Sequence, residues 1–280
     1  MGTVSAETVP AELWALAEQV TTAVRLVGAG LAARRPAAPT PAATGEEAGA
    51  RFAEIDGPAA AELRERLSAL HPRAGWVPEE LDGSMPAEGE WWLCDATDGA
   101  VQYLLGQPHW AVTATLIRDG AAVLAVVHAP ELGTGPGAGW TYQAVLGGGA
   151  RLDGRAIAPL PRELAATVAG TSQPPFVAAD PVALRRAGES LCAMAGAVPA
   201  VRNLGPTALQ VAQVGSGHLA LFWEYGRDAG NLLPGALIAS EARATVTDAA
   251  GAAWTAGSDS FLAAAPGLHA DALGVLRVVR

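Results

Sequence analysis

The sequence predicts an α/β fold with an antiparallel half followed by an alternating half, and three observations carry that prediction. Two strand-length apolar runs, Ala111–Ile117 and Ala122–His128, flank Arg118-Asp119-Gly120-Ala121. Asp-Gly between apolar runs is a hairpin signal, because both residues tolerate the positive φ of a tight turn. From about residue 158 the pattern switches to strands alternating with helices, which indicates an α/β layer. Between these features, Trp91-Trp92-Leu93-Cys94 runs into Asp95-Ala96-Thr97-Asp98-Gly99. An apolar run that stops at two carboxylates and a glycine reads as a buried strand ending in a tight turn. The halves are residues 1–157 and 158–280, joined in one compact unit.

The elements follow in chain order. Leu13, Leu16, Val20, Val24, Val27 and Leu31 recur at helical spacing and predict an amphipathic first helix. Residues 34–50 are rich in Pro, Ala, Thr and Gly and read as a mobile loop. A second helix is expected to start near Asp56, with that residue as N-cap, Pro58 in the first turn and Leu63, Leu67 and Leu70 on its apolar face. After the hairpin, Trp140–Val145 and the Asp153-Gly154 turn mark another strand pair. The second half reads as strand Thr167–Thr171, helix Pro181–Ala195, strand Ala200–Leu204, helix Pro206–Val214, strand His218–Glu224 and helix Leu232–Ala242.

Composition narrows the function. The chain has 280 residues, half of them apolar, which is enough for a sizeable core. Its formal net charge is −10, and no basic stripe exists, so nucleic-acid binding is disfavoured. No apolar run reaches membrane-span length and the N-terminus lacks a signal-peptide pattern, so a soluble cytoplasmic protein is expected. Cys94 and Cys192 sit in apolar contexts and read as reduced core thiols. His109 and His128 have no second ligand at metal spacing and read as packed histidines. There is no Walker A loop and no Gly-x-Gly-x-x-Gly after a strand.

Asp95 and Asp98, with the Thr97 carbonyl between them, form a set of hard oxygen donors that suits Mg²⁺. Taken alone, Asp-x-x-Asp-Gly is more often a polar turn. The surroundings change this. Val77-Pro78-Glu79-Glu80 lies upstream, and Gly147-Gly148-Gly149-Ala150-Arg151-Leu152-Asp153-Gly154 lies downstream. In order and spacing the chain resembles the inositol monophosphatase family of Mg²⁺-dependent phosphomonoesterases, from about Leu13 to Leu276. That family carries Gly-Glu-Glu, then Asp-Pro-Ile-Asp-Gly-Thr-x-Asn-Phe, then Gly-x-Gly-Ala-x-x-Asn-Gly.

The resemblance implies an αβαβα sandwich, Mg²⁺ as cofactor, a small polyol or sugar phosphate as substrate and a homodimer. It makes Glu79, Asp95, the Thr97 carbonyl and Asp98 metal ligands, and gives Asp56, Glu79 and Asp98 catalytic roles. Backbone N–H groups of Gly99 and Ala100 would bind phosphate. Arg202, in a segment similar to Arg-x-x-Gly-Ser-Ala-Ala, is either a substrate contact or a surface ion-pair partner. Glu224 matches a substrate-side Glu seven residues before the last metal ligand, and Glu241-Ala242 matches a Glu-Ala pair ten residues after it. Both anchors put Asn231 where the family has a ligating aspartate. An amide offers one neutral oxygen and no charge, although Asp228 stands nearby. Ala100 replaces the threonine that assists the attacking water. The expectation is a phosphatase with weakened turnover, or an inactive relative that binds a ligand or partner in the same cleft.

Overall fold

The structure is a computed structural model that describes residues 8–35, 42–77, 85–133, 139–175 and 177–279. The chain begins with α1 (Thr8–Arg34) and α2 (Gly45–Leu70). The first sheet follows: β1 (Gly75–Trp76), β2 (Glu90–Asp98), β3 (Ala111–Arg118), β4 (Ala121–Ala129), β5 (Trp140–Val145), β6 (Gly149–Leu152) and β7 (Arg155–Ala156), with the short helix α3 (Ala100–Leu104) after β2. These strands lie in sequence order, antiparallel except for the β1–β2 pair.

The second half consists of β8 (Val168–Thr171), α4 (Pro181–Ala195), β9 (Ala200–Arg202), α5 (Thr207–Ser216), β10 (Leu221–Tyr225), α6 (Ala229–Glu241), β11 (Thr245–Thr247), β12 (Ser260–Ala264) and α7 (Leu268–Leu276). Its sheet has the order β11-β12-β10-β8-β9, with β8, β9 and β10 mutually parallel.

Five layers result. α1 and α2 cover one face of the first sheet, burying Val20, Val24, Val27, Leu31, Leu63 and Leu67 against Trp92, Leu116 and Val126. α5 and α6 fill the space between the two sheets, and α4 and α7 cover the far face of the second. This is the expected αβαβα sandwich. The two central helices approach closely because Gly235 has no side chain. A Cβ there would lie 2.6 Å from Val211 Cβ and 2.8 Å from the Ala208 carbonyl oxygen. No described helix is long and apolar enough to cross a membrane.

The structure corrects three expectations. First, α2 begins at Gly45, so residues 45–50 are helical and Asp56 lies well inside the helix. Thr44 is the N-cap: its hydroxyl accepts from Glu47 N–H, while the Glu47 carboxylate accepts from Ala43 N–H. This is a capping box one residue wider than usual. Pro58 is tolerated inside the helix, where it leaves the Glu54 carbonyl without its helical donor. Second, β2 runs on to Asp98 instead of stopping at Cys94. Third, Cys94 is buried but Cys192 is exposed. α4 buries Ala183, Ser190 and Met194, and Cys192 points off that face. The sequence reading also passed over β11, β12 and α7, the last three elements of the chain.

Candidate active site

β2 carries the first part of the site. Its apolar residues Trp92, Leu93 and Cys94 are buried and fix it beside β3. Pairing is regular up to Asp95↔Thr113, then shifts so that Asp98 faces Ala111. Three steps on β2 thus match two on β3, which is a bulge. A bulge re-aims side chains without ending the strand, and here it turns Asp95, Thr97 and Asp98 toward one cleft. The Asp95 carboxylate accepts from Thr97 N–H at 2.7 Å. Gly99 follows at φ +92°, and a Cβ there would lie 3.0 Å from Pro206 Cγ and 3.1 Å from the His109 carbonyl oxygen. Glycine is therefore required both by backbone conformation and by space.

The opposite wall comes from the carboxyl ends of the parallel strands. Ser172 follows β8, Asn203 follows β9, and Asp228 and Asn231 lie just beyond β10, at the start of α6. In open α/β sheets, ligands bind at such ends. The cleft has a volume of about 630 Å³. Thr207 opens α5, and its hydroxyl donates to Ser172 Oγ at 2.8 Å. Buried Gln210 donates to the Thr171 and Gly205 carbonyls and accepts from Leu204 N–H, which ties the loop before α5 to the end of β8. Neither α5 nor α6 has a side-chain N-cap hydrogen bond, and both open on the cleft. Uncapped first-turn N–H groups of this kind suit an anion.

The electrostatics run the other way at the carboxylates. Burial pushes the Asp95 carboxyl above the usual range, opposed by the Thr97 N–H and reinforced by the charge of Asp56. Burial also raises Asp56, opposed by the Thr97 hydroxyl and Arg64. Burial raises Asp228 too, against the Asn231 amide and the Glu224 and Thr207 side chains. Glu224 is raised well above the usual carboxylate range, by burial first and then by Asp228. A cation would relieve all four. Asp56 Oδ1 and Asp228 Oδ2 are buried without a hydrogen-bond donor. Among the described lining residues the available donors are carboxylate, amide, hydroxyl and carbonyl oxygens, with no thiolate or imidazole. This set fits a hard divalent cation such as Mg²⁺. Among the described residues, no three His, Cys, Asp or Glu are grouped closely enough to hold a metal by themselves. Glu79, expected in the ligand set, lies outside the described residues.

The structure thus brings Asp95, Thr97, Asp98, Gly99, Ala100 and Asn231 to one cleft. Asp56 stands behind it, close enough to Asp95 to raise its pKa. Two expected substrate contacts are not on the wall. Arg202 is exposed, and its guanidinium donates to the neighbouring Val201 carbonyl. Glu224 is 1% exposed and sits behind Asp228. His109, His128 and the tryptophans stay off the wall as well. Phe52, Ser172, Asn203 and Thr207 were missed as lining residues. The available signal for Ser172 was its position just after the predicted strand Thr167–Thr171; Asn203 was hidden inside the predicted strand Ala200–Leu204, which in the structure ends at Arg202.

Two stacked sheets with helices between and outside them, and an acidic cleft at the strand ends, define a layered αβαβα protein with its candidate site where the two halves meet. The chain belongs to the inositol monophosphatase family, whose sequence profile matches residues 16–278. It is 32% identical over 195 residues to the inositol-1-monophosphatase of Rhizobium meliloti (strain 1021), a match covering 68% of each chain. It is 29% identical over 216 residues to the putative Nus factor SuhB of Neisseria meningitidis serogroup B, covering 76% of this chain and 79% of that one. The solved inositol monophosphatase from Anabaena (Nostoc) sp. PCC 7120 superposes with a TM-score of 0.80 at 19% identity, covering 96% of this chain and 98% of that one. The family is one of phosphoric monoester hydrolases that act on small phosphorylated substrates.

Proposed function

We propose that the protein is a Mg²⁺-dependent phosphomonoesterase of a small polyol or sugar phosphate, with turnover below that of relatives that keep every motif residue. The observation that carries this reading is the shared cleft: Asp95, Thr97 and Asp98 on one wall, and the uncapped starts of α5 and α6 on the other. In this reading Asp95, Asp98, the Thr97 carbonyl, Glu79 and Asn231 hold the cation. Bound Mg²⁺ supplies positive charge to the phosphate oxygens and the leaving oxygen. Gly99 and Ala100 N–H groups bind the phosphate. Asp56 and Glu79 orient the attacking water and accept its proton, and Asp98 shares that catalytic role. Arg202 and Glu224 drop out of the substrate-binding set, because neither lines the cleft. A homodimer and a cytoplasmic location complete the reading; sedimentation and cell fractionation check them.

The test is phosphate release from inositol 1-phosphate across Mg²⁺ concentrations, paired with calorimetric titration of Mg²⁺ or Mn²⁺. The wild type should turn over slowly, and Asp95→Asn should lose both the calorimetric signal and the activity. Equal cation binding by wild type and variant would sink the assignment. Ala100→Thr should raise kcat by about tenfold, a modest part of what general-base assistance contributes. A second reading rests on Ala100 and Asn231: an inactive relative that binds a ligand or partner through the cleft. Cation binding without any phosphate release, unchanged by Ala100→Thr, would favour it.

A further inference from the structure

At the α6 side of the cleft, three carboxylate oxygens have no donor. They are both oxygens of Glu224 and Oδ2 of Asp228. The two residues are 1% and 6% exposed, and their side chains face each other. No arginine or histidine pairs with either among the described ion pairs. Asp228 occupies the N-cap position of α6 yet makes no capping hydrogen bond, so its carboxylate is not used to satisfy the helix. Its other oxygen, Oδ1, accepts from Asn231 Nδ2 at 2.6 Å. Asn231 therefore spends its N–H₂ group on Asp228 and keeps its own carbonyl oxygen as a neutral donor atom. Asp228 and Asn231 line the same cleft as Asp95 and Asp98. Buried acceptors that outnumber donors call for a shared proton or a cation.

We infer that Asp228 supplies the carboxylate of a second divalent-cation position, with Asn231 as its neutral co-ligand and positioning residue and Glu224 as its buried support. The inference rests on the metal-dependent reading above and deepens it. The negative charge missing at Asn231 is restored three residues upstream, on the same first turn of α6. Mg²⁺-type sites commonly use only one or two carboxylates and take remaining ligands from water and phosphate. Asp98 and Asp228, with inorganic phosphate present, meet that requirement.

The experiment counts Mn²⁺ bound per chain by electron paramagnetic resonance, in the presence of inorganic phosphate. Wild type, Asp95→Asn, Asp228→Asn and the double variant Asp228→Asn plus Asn231→Asp are compared. Asp228→Asn should weaken one Mn²⁺ by tenfold or more and leave the other in place. The double variant should recover it, because the carboxylate returns to the cleft by another route. A merely structural Asp228 would not be rescued in this way. Equal Mn²⁺ binding by wild type and Asp228→Asn overturns the inference and leaves the metal-dependent reading standing. No Mn²⁺ binding by the wild type overturns both. If Asp228→Asn does not fold, anomalous diffraction from wild-type crystals soaked in Mn²⁺ and phosphate decides. A peak at coordination distance from Asp228, about 2.1 Å, is expected; peaks confined to Asp95 and Asp98 reject it.

Discussion

Single residues in this protein act mainly through burial and charge. His128 is 5% exposed, and its Nδ1 faces the Trp140 carbonyl and the Thr141 hydroxyl. Burial pulls its pKa down to about 4, helped by the charge of Arg25 and opposed by the Trp140 carbonyl. An unfolded chain restores a value of about 6.5. The folded state thus holds the neutral imidazole and the unfolded state binds the extra proton. His128 contributes stability that is fully present above about pH 6.5 and is lost as pH falls toward about 4. One proton gives a slope of at most about 1.4 kcal/mol per pH unit. Urea unfolding of wild type and His128→Gln, compared at pH 7 and at pH 5, should show the wild type losing more stability. The raised carboxylates of the cleft shift stability in the opposite direction, and the difference between the two proteins removes their contribution. A pH-independent difference would mean that His128 is charged or exposed in the fold.

At the scale of elements, caps and close approaches decide more than composition suggests. The stretch before α2 looks like a loop because Pro, Ala, Thr and Gly dominate it, yet Thr44 and Glu47 form a capping box. The signal is in the sequence, as Thr-x-x-Glu at Thr44 to Glu47, upstream of the second candidate start at Asp56 and Pro58. Asp56 is placed by the helix to face Asp95 and Thr97, not to cap. Thr44→Ala should cost about 1 kcal/mol, the usual worth of such a cap, and should lower the thermal midpoint without changing Mn²⁺ affinity. An unchanged midpoint in calorimetry would show that the start of α2 frays in solution. β2 teaches a related lesson. Its polar end looks like a stop, but the ladder to β3 resumes at Asp98 after the bulge.

In the whole molecule the two sequence halves pack against each other. α5 and α6 belong to the second half, yet they pack on β4, β5 and β6 of the first. The Glu241 carboxylate accepts from Gly147 and Gly149 N–H at 2.8 Å each, which binds the β5–β6 turn to the end of α6. The cleft takes one wall from each half. Heating should therefore give one cooperative transition. Added Mg²⁺ should raise its midpoint in the wild type and not in Asp95→Asn, because a ligand that binds only the folded state stabilises it by mass action. At 100 times Kd the gain is about 2.7 kcal/mol. Two resolved transitions in differential scanning calorimetry would show that residues 1–157 and 158–280 unfold independently.

The sequence by itself determined the local pattern: the amphipathic α1, the hairpin at Asp119-Gly120, a helix near Pro181–Ala195 and the alternating second half. These depend on periodicity and turn chemistry, which neighbours along the chain express directly. Motif order further fixed the family, and the register that puts Asn231 on the same cleft as Asp95. Only the tertiary structure decided which polar groups face that cleft. Arg202 turned outward and Glu224 turned inward because side-chain burial depends on packing between distant strands and helices. Asp228 became a wall residue for the same reason. Its charge gains meaning from Glu224, Asn231 and Asp98, which come from different elements. Their juxtaposition is a property of the two stacked sheets, not of any one stretch of chain.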